Sequence, residues 1–101
     1  MIEVIDMSLE SYADKKRILQ YVSIAYQSCR DKNDMTTCDQ QFLNLIERTL
    51  KCCSETTNWI IRFDFLEKQA NDWYLNYFAK SSYYRLKRRA IYEFLNCLDA
   101  V

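Results

Sequence analysis

The sequence predicts an all-α fold, a small bundle of about five helices ending in a helix-turn-helix, on three observations. The chain has 101 residues and neither glycine nor proline. Hairpins and sandwiches lean on Gly, Asn-Gly or Asp-Gly turns, whereas helices are joined well enough by Ser, Thr, Asn and Asp caps and short polar links. Apolar residues recur at three- and four-residue spacing along most of the chain, as helices require. Half of the residues are hydrophobic and 28% are charged, which suits a packed globule and excludes chains too polar to fold. The length fits one domain over 1–101, with a helical pair over 8–53 and a helix-turn-helix part over 54–101.

The elements follow from caps and stripes. Ser8 or Ser11 starts a first helix that runs to about Arg30, and Ser11 with Asp14 resembles a capping box. Tyr12, Leu19, Val22, Tyr26 and Cys29 form its buried stripe, with Ile18 and Ala25 alongside, while Asp14, Lys15, Arg17 and Gln20 make the solvated side. The stretch DKNDMTT over 31–37 is a loop, and Thr37 followed by Gln40 caps a second helix to about Cys53, buried through Phe42, Leu45, Ile46, Thr49, Leu50 and Cys53. The cluster over 54–57 caps a third helix with Trp59, Ile60, Phe63 and Leu66 on one stripe, to about Gln69. Asn71 caps a short helix, DWYLNYF, and Ser81 the last one. Trp59, Phe63, Trp73 and Phe78 read as core, because aromatic residues at helical spacing usually are.

Several functions are disfavoured by composition. With no histidine, five cysteines and no CxxC pair, neither a metal site nor a cofactor is expected. No carboxylate pair or activated nucleophile stands in a recognisable motif, so the chain does not read as an enzyme and no small-molecule substrate is expected. Cys52 and Cys53 lie near a helix C-terminus, which raises a thiol pKa, and most of the cysteines read as packing residues. The start, MIEVIDMSLE, has no secretory pattern and no apolar run is long enough to span a bilayer, so the expectation is a bacterial cytoplasm and no membrane.

Formal net charge is zero, yet the charge is segregated. Residues 1–79 hold nine Lys or Arg against twelve acids, whereas 80–101 hold five against two, and both of those acids follow the basic run. In the segment KSSYYRLKRRAIYEFLNCL over 80–98, Tyr83, Leu86, Ala90, Ile91, Phe94 and Leu98 recur at helical spacing as an inner face. Lys80, Ser81, Ser82, Tyr84, Arg85, Lys87, Arg88 and Arg89 are left outward or at the sides. Arginine pairs bidentately with guanine, hydroxyls suit phosphates or bases, and a helix N-terminus attracts phosphate, so these eight are the candidate contacts to double-stranded DNA. Residues 71–78 supply the shorter helix before the turn.

Ser81, Tyr83, Tyr84, Arg85, Lys87, Ala90 and Phe94 make the stretch resemble the S-x-YYR-x-K-x-x-A-x-x-x-F ending of ArpU- and RinA-type phage late transcription regulators, a Firmicute prophage group. The C-terminal part of that group is similar to the promoter-reading domain of sigma factors. The likeness covers roughly residues 45–99 and implies a DNA-binding transcription regulator of phage or mobile-element origin, working beside RNA polymerase. It places Ser81, Ser82, Arg85, Arg88 and Arg89 toward DNA. Zero net charge and abundant tyrosine support an alternative, a helical protein-interaction module that meets RNA polymerase or another regulator. The wide apolar stripe of the first helix also leads us to expect a two-fold homodimer.

Overall fold

Side-chain caps set where the helices begin, and in a chain without glycine they must also help the helices end. The computed structural model describes residues 11–67 and 72–100. Among these are four α-helices and no strand: α1 (Tyr12–Arg30), α2 (Thr37–Lys51), α3 (Glu55–Ile61) and α4 (Lys80–Ala100). The third runs on as a π-helical segment, Arg62–Leu66, and a single 3₁₀ turn, Trp73–Asn76, precedes the fourth. That turn stands where a fifth helix over 71–78 was expected. Trp73 and Tyr74, adjacent in sequence, are both held inward, and one tight turn accommodates them. Asn71, its expected cap, and Ser8 lie outside the described residues.

Ser11 caps α1, its hydroxyl accepting the Asp14 N–H at 3.0 Å. The α2 cap is Thr36, one residue before the expected Thr37. Its hydroxyl accepts the Asp39 N–H at 3.1 Å while the Asp39 carboxylate accepts the Thr36 N–H at 3.0 Å. A carboxylate at this position serves better than the amide of Gln40, because it also faces the helix dipole and takes Lys32 at 3.1 Å. Ser54 caps α3 through the Thr57 N–H at 3.2 Å. The last helix begins at Lys80, with the Tyr83 N–H bonded to the Ala79 carbonyl at 2.9 Å, so Ser81 lies inside its first turn and does not cap it.

Helix ends are closed without left-handed residues. Asp31 and Cys52, which follow α1 and α2, both stay right-handed. The Asn58 amide then donates to the Leu50 and Ser54 carbonyls at 2.6 and 3.0 Å, clamping the corner between α2 and α3. Gln27 of α1 donates to the carbonyls of Phe65 and Leu66 at 2.9 and 3.2 Å, which finishes the π-helical segment. Arg62 joins the same region to α2 by pairing with Glu47 at 2.9 Å.

The core is built from Leu19, Tyr26, Ile46, Leu50, Ile60, Ile61, Phe65, Leu66, Ala90, Ile91 and Phe94, with Trp73, Tyr74 and Tyr83 at one end. Helix α4 packs on all three other helices and on the 3₁₀ turn, most extensively on α3. Four side chains depart from the expected pattern. Ile18 and Ala25, expected beside the α1 stripe, are exposed, because Leu19, Ser23 and Tyr26 turn the buried side of α1 away from them. Lys15, expected in solvent, is buried with its ammonium 5.6 Å from the Tyr92 ring centre, because its long stem fills the space between α1 and α4. Trp59, expected in the core, is 39% exposed. The inner face of α3 runs through Thr57, Ile60 and Ile61, which turns Trp59 outward.

The decisive polar contact lies in the π-helical segment. Asp64, only 11% exposed in its side chain, accepts the Trp73 indole N–H at 2.7 Å, accepts the Tyr83 hydroxyl, and pairs with Lys87 at 3.4 Å. One carboxylate thus fastens the 3₁₀ turn and α4 to α3. Burial first, and then the bond to Asp64, holds the Tyr83 phenol well above its ordinary pKa.

Two outcomes follow. Asp64→Ala, which strands Lys87 and two buried donors, should lower unfolding free energy by about 3 kcal/mol in urea denaturation. The Thr36 backbone N–H, then Lys32, holds the Asp39 carboxyl far below the usual carboxylate range. The stability it contributes is present above the unfolded value of about 4 and lost as pH falls below it. Asp39→Asn should therefore flatten the fall of the urea midpoint between about pH 5 and about pH 2; an unchanged profile would exclude this source of acid sensitivity.

Candidate nucleic-acid interface

The candidate interface occupies the first three turns of α4, and the helix is oriented by what its inner side must bury. Tyr83, Ala90, Ile91 and Phe94 are buried, with Leu86, Leu95 and Leu98 partly so. Tyr83 stacks on Tyr74 with ring centres 3.7 Å apart and planes at 4°, while Trp73 meets Tyr83 edge-on at 5.9 Å. These contacts fix the rotation of the helix about its own axis. At 100° per residue, Ser81, Arg85 and Arg89 then fall on the opposite side.

The eight candidates divide into three groups. Lys80, Ser81, Arg85, Arg88 and Arg89 are exposed and Ser82 is half-buried. Tyr84 is 54% exposed, but its ring lies 6.1 Å from Tyr74. Hydrogen bonding to Tyr84, and then burial, holds the Tyr74 phenol above its ordinary pKa, so Tyr84 leans toward the aromatic cluster. Lys87 is committed inward: its side chain is 16% exposed, its ammonium pairs with Asp64, and it lies 5.5 and 5.8 Å from the ring centres of Phe65 and Tyr83.

The arginines also differ. The Arg88 guanidinium lies 4.7 Å from the Tyr12 ring centre, on the side facing the start of α1. Neither Arg85 nor Arg89 forms an ion pair with a described residue, and no acid occurs between residues 73 and 92. Arg89 borders a shallow cavity of about 480 Å³ together with Ser54, Thr56, Thr57, Leu86 and Glu93. The acid in that cavity is already engaged, since Glu93 accepts the Ser54 N–H at 3.1 Å and the Thr57 hydroxyl. Ser81, Arg85 and Arg89 therefore form a row about 12 Å long by helical rise, its two arginines exposed and in no ion pair with a described residue.

Sequence reasoning missed the residues that hold this row. Asp64 sets the position of Lys87 and Tyr83, and the available signal was an acid between two aromatics, Phe63 and Phe65, in an otherwise apolar run over 63–66. Tyr12 beneath Arg88 had no signal in the local pattern, because the two lie more than seventy residues apart on different helices, whereas Glu93 beside Arg89 had one, the i,i+4 spacing on a single helix.

Among the described residues no group of His, Cys, Asp or Glu could hold a metal ion. All five cysteines are free thiols; Cys38 and Cys52 are exposed, and only Cys29, Cys53 and Cys97 are half-buried. Packing therefore does not account for Cys38 and Cys52. Burial, with a contribution from Cys97, pushes the Cys53 thiol up to about 12, which leaves it protonated and unreactive near neutral pH. No helix among the described residues is long and apolar enough to cross a membrane. Comparison of the chain with protein-family models, with curated proteins and with solved structures finds no match.

The two kinds of cation on α4 should separate experimentally. Lys87→Ala should lower the thermal midpoint, because it leaves Asp64 without its charge partner. Arg85→Ala should change unfolding free energy by no more than about 0.5 kcal/mol, as surface substitutions away from partners do. Equal destabilisation by both would contradict the division.

Proposed function

We propose that the chain is a double-stranded DNA-binding regulator that presents the outer row of α4, Ser81, Arg85 and Arg89, to the major groove. The observation that carries this reading is the row itself: two exposed arginines one turn apart, without ion-pair partners among the described residues, on a helix whose inner cation is fixed elsewhere. A helix of this width fits the major groove, and Arg can read guanine O6 and N7 there, while Lys80, Ser82 and Arg88 lie where phosphates flank the groove. The 3₁₀ turn Trp73–Asn76 takes the place of the first helix of a helix-turn-helix, braced by its indole bond to Asp64. The likeness of 81–94 to phage late transcription regulators adds support for action at promoters, beside RNA polymerase.

A second reading, a protein-interaction module, draws on a separate observation. Ile18, Tyr21 and Ile24 on the outside of α1 are 43%, 65% and 64% exposed, an apolar row suited to a partner protein or to a second copy of the chain. Leu19 is fully buried and belongs to the core, so a dimer through α1 would use this outer row and not the stripe expected from the sequence.

Binding to a target selected from random duplexes separates the readings. The Arg85→Ala/Arg89→Ala double variant should lose about 1–3 kcal/mol for each arginine that reads a base, or lower the salt slope by about one for each that only meets phosphate. Wild-type affinity should fall steeply and linearly with the logarithm of salt concentration. Unchanged affinity and salt slope in the double variant would exclude α4 as the reader, and a salt-insensitive contact with a polymerase subunit would favour the module.

A further inference from the structure

A second feature lies along α3, next to the cavity that Arg89 borders and sharing Thr56 with it, where aromatic side chains reach the surface as a corner. Trp59 and Tyr77 are 39% and 59% exposed, with ring centres 5.2 Å apart and planes at 79°. With Phe78, Thr56 and Glu55 they line an open cavity of about 210 Å³. A contiguous exposed aromatic patch, unlike a single exposed side chain, is a feature of interaction sites.

The corner is rigid. Trp59 is backed by Phe63 at 6.5 Å, Phe63 meets Trp73 edge-on at 5.1 Å, and Tyr77 lies 6.3 Å from the same indole. Trp73 is itself pinned to Asp64 at 2.7 Å. The walls are therefore held in place before any ligand arrives, which reduces the ordering cost of binding. Glu55, in the first turn of α3, forms no ion pair with a described residue. A cavity lined by an edge-to-face Trp59–Tyr77 pair and by Phe78, and edged by the Glu55 carboxylate, is complementary to a cation with apolar bulk. The same carboxylate repels phosphate, which argues against a stacked nucleotide here.

We propose that Trp59, Tyr77, Phe78 and Glu55 form a binding site for an alkylated ammonium group, the aromatic side chains receiving its N-methyl groups and Glu55 supplying the countercharge. The site borders the Arg89 cavity at Thr56 but uses none of the arginines of α4, so the proposal does not rest on DNA binding.

The test titrates the full chain with choline chloride at constant ionic strength, against 3,3-dimethyl-1-butanol, its uncharged isostere. Binding is followed by saturation transfer to the methyl protons of the ligand. Choline should saturate the site, and the isostere should bind about tenfold more weakly, since only the cation gains from the ring faces. Tyr77→Leu should weaken choline about tenfold. Glu55→Gln, an exposed change that spares the fold, should weaken it about threefold, in the range of an exposed ion pair. No saturable binding, equal binding of the isostere, or unchanged affinity in both variants would overturn the proposal. Tighter binding of arginine amide than of choline would likewise overturn it, and would identify the corner as a receptor for a basic side chain of a partner protein.

Discussion

The Asp64 carboxylate is the contact on which the C-terminal half of the molecule depends. A carboxylate this little exposed is stable only if its oxygens are engaged, and all three of its partners come from later in the chain: an indole, a phenol and an ammonium. Docking of the 3₁₀ turn and of α4 on α3 is thereby coupled through one group. The π-helical segment makes this possible, because its wider turn brings Phe65 and Leu66 into the core while Asp64 meets α4. Its loosened carbonyls are taken up by Gln27, so the first helix also takes part in presenting the carboxylate.

The same coupling divides the charge of α4. Lys87 is drawn beneath the helix by Asp64 and the Phe65 and Tyr83 rings, while Arg85 and Arg89 remain outside. A run of five cations thus becomes one internal brace and a directed outer surface. Arg88 reaches sideways to Tyr12, tying the same stretch of α4 to the start of α1. The orientation of the outer row is set by tyrosine stacking and a half-buried ion pair, both more rigid than a surface salt bridge.

A chain without glycine or proline closes its helices by other means. Right-handed residues end α1 and α2, and side-chain amides reach back to carbonyls that a glycine turn would otherwise satisfy. Glu93 of α4 reinforces the start of α3 by accepting the Ser54 N–H, so a cap is shared between distant parts of the sequence. Many of these polar contacts bridge elements, which compensates for the modest apolar area a chain of this size can bury.

Composition and periodicity alone determined the all-helical class, the hydroxyl clusters from which the Ser11 and Ser54 caps are drawn, the end of α1 at Arg30 and the inner face of α4 through Tyr83, Ala90, Ile91 and Phe94. These are local properties, set by hydroxyls at helix starts and by a 3.6-residue repeat, and they need no knowledge of neighbours. Where two local solutions compete, the neighbours decide. Thr36 with Asp39 prevails over Thr37 with Gln40 because Lys32 is in reach, and Trp59 is turned outward because Ile60 and Ile61 claim the α3 interface. Lys15 and Lys87 look like solvated cations in the sequence and lie inward in the fold, since only the assembled helices bring Tyr92 to one and Asp64 to the other. The shortened helix before α4 was decided in the same way. Its sequence suits an α-helix, but the Asp64 bond to Trp73 and the Tyr74–Tyr83 stack are long-range contacts, and they outweigh the small free-energy difference between one more α-turn and a single 3₁₀ turn.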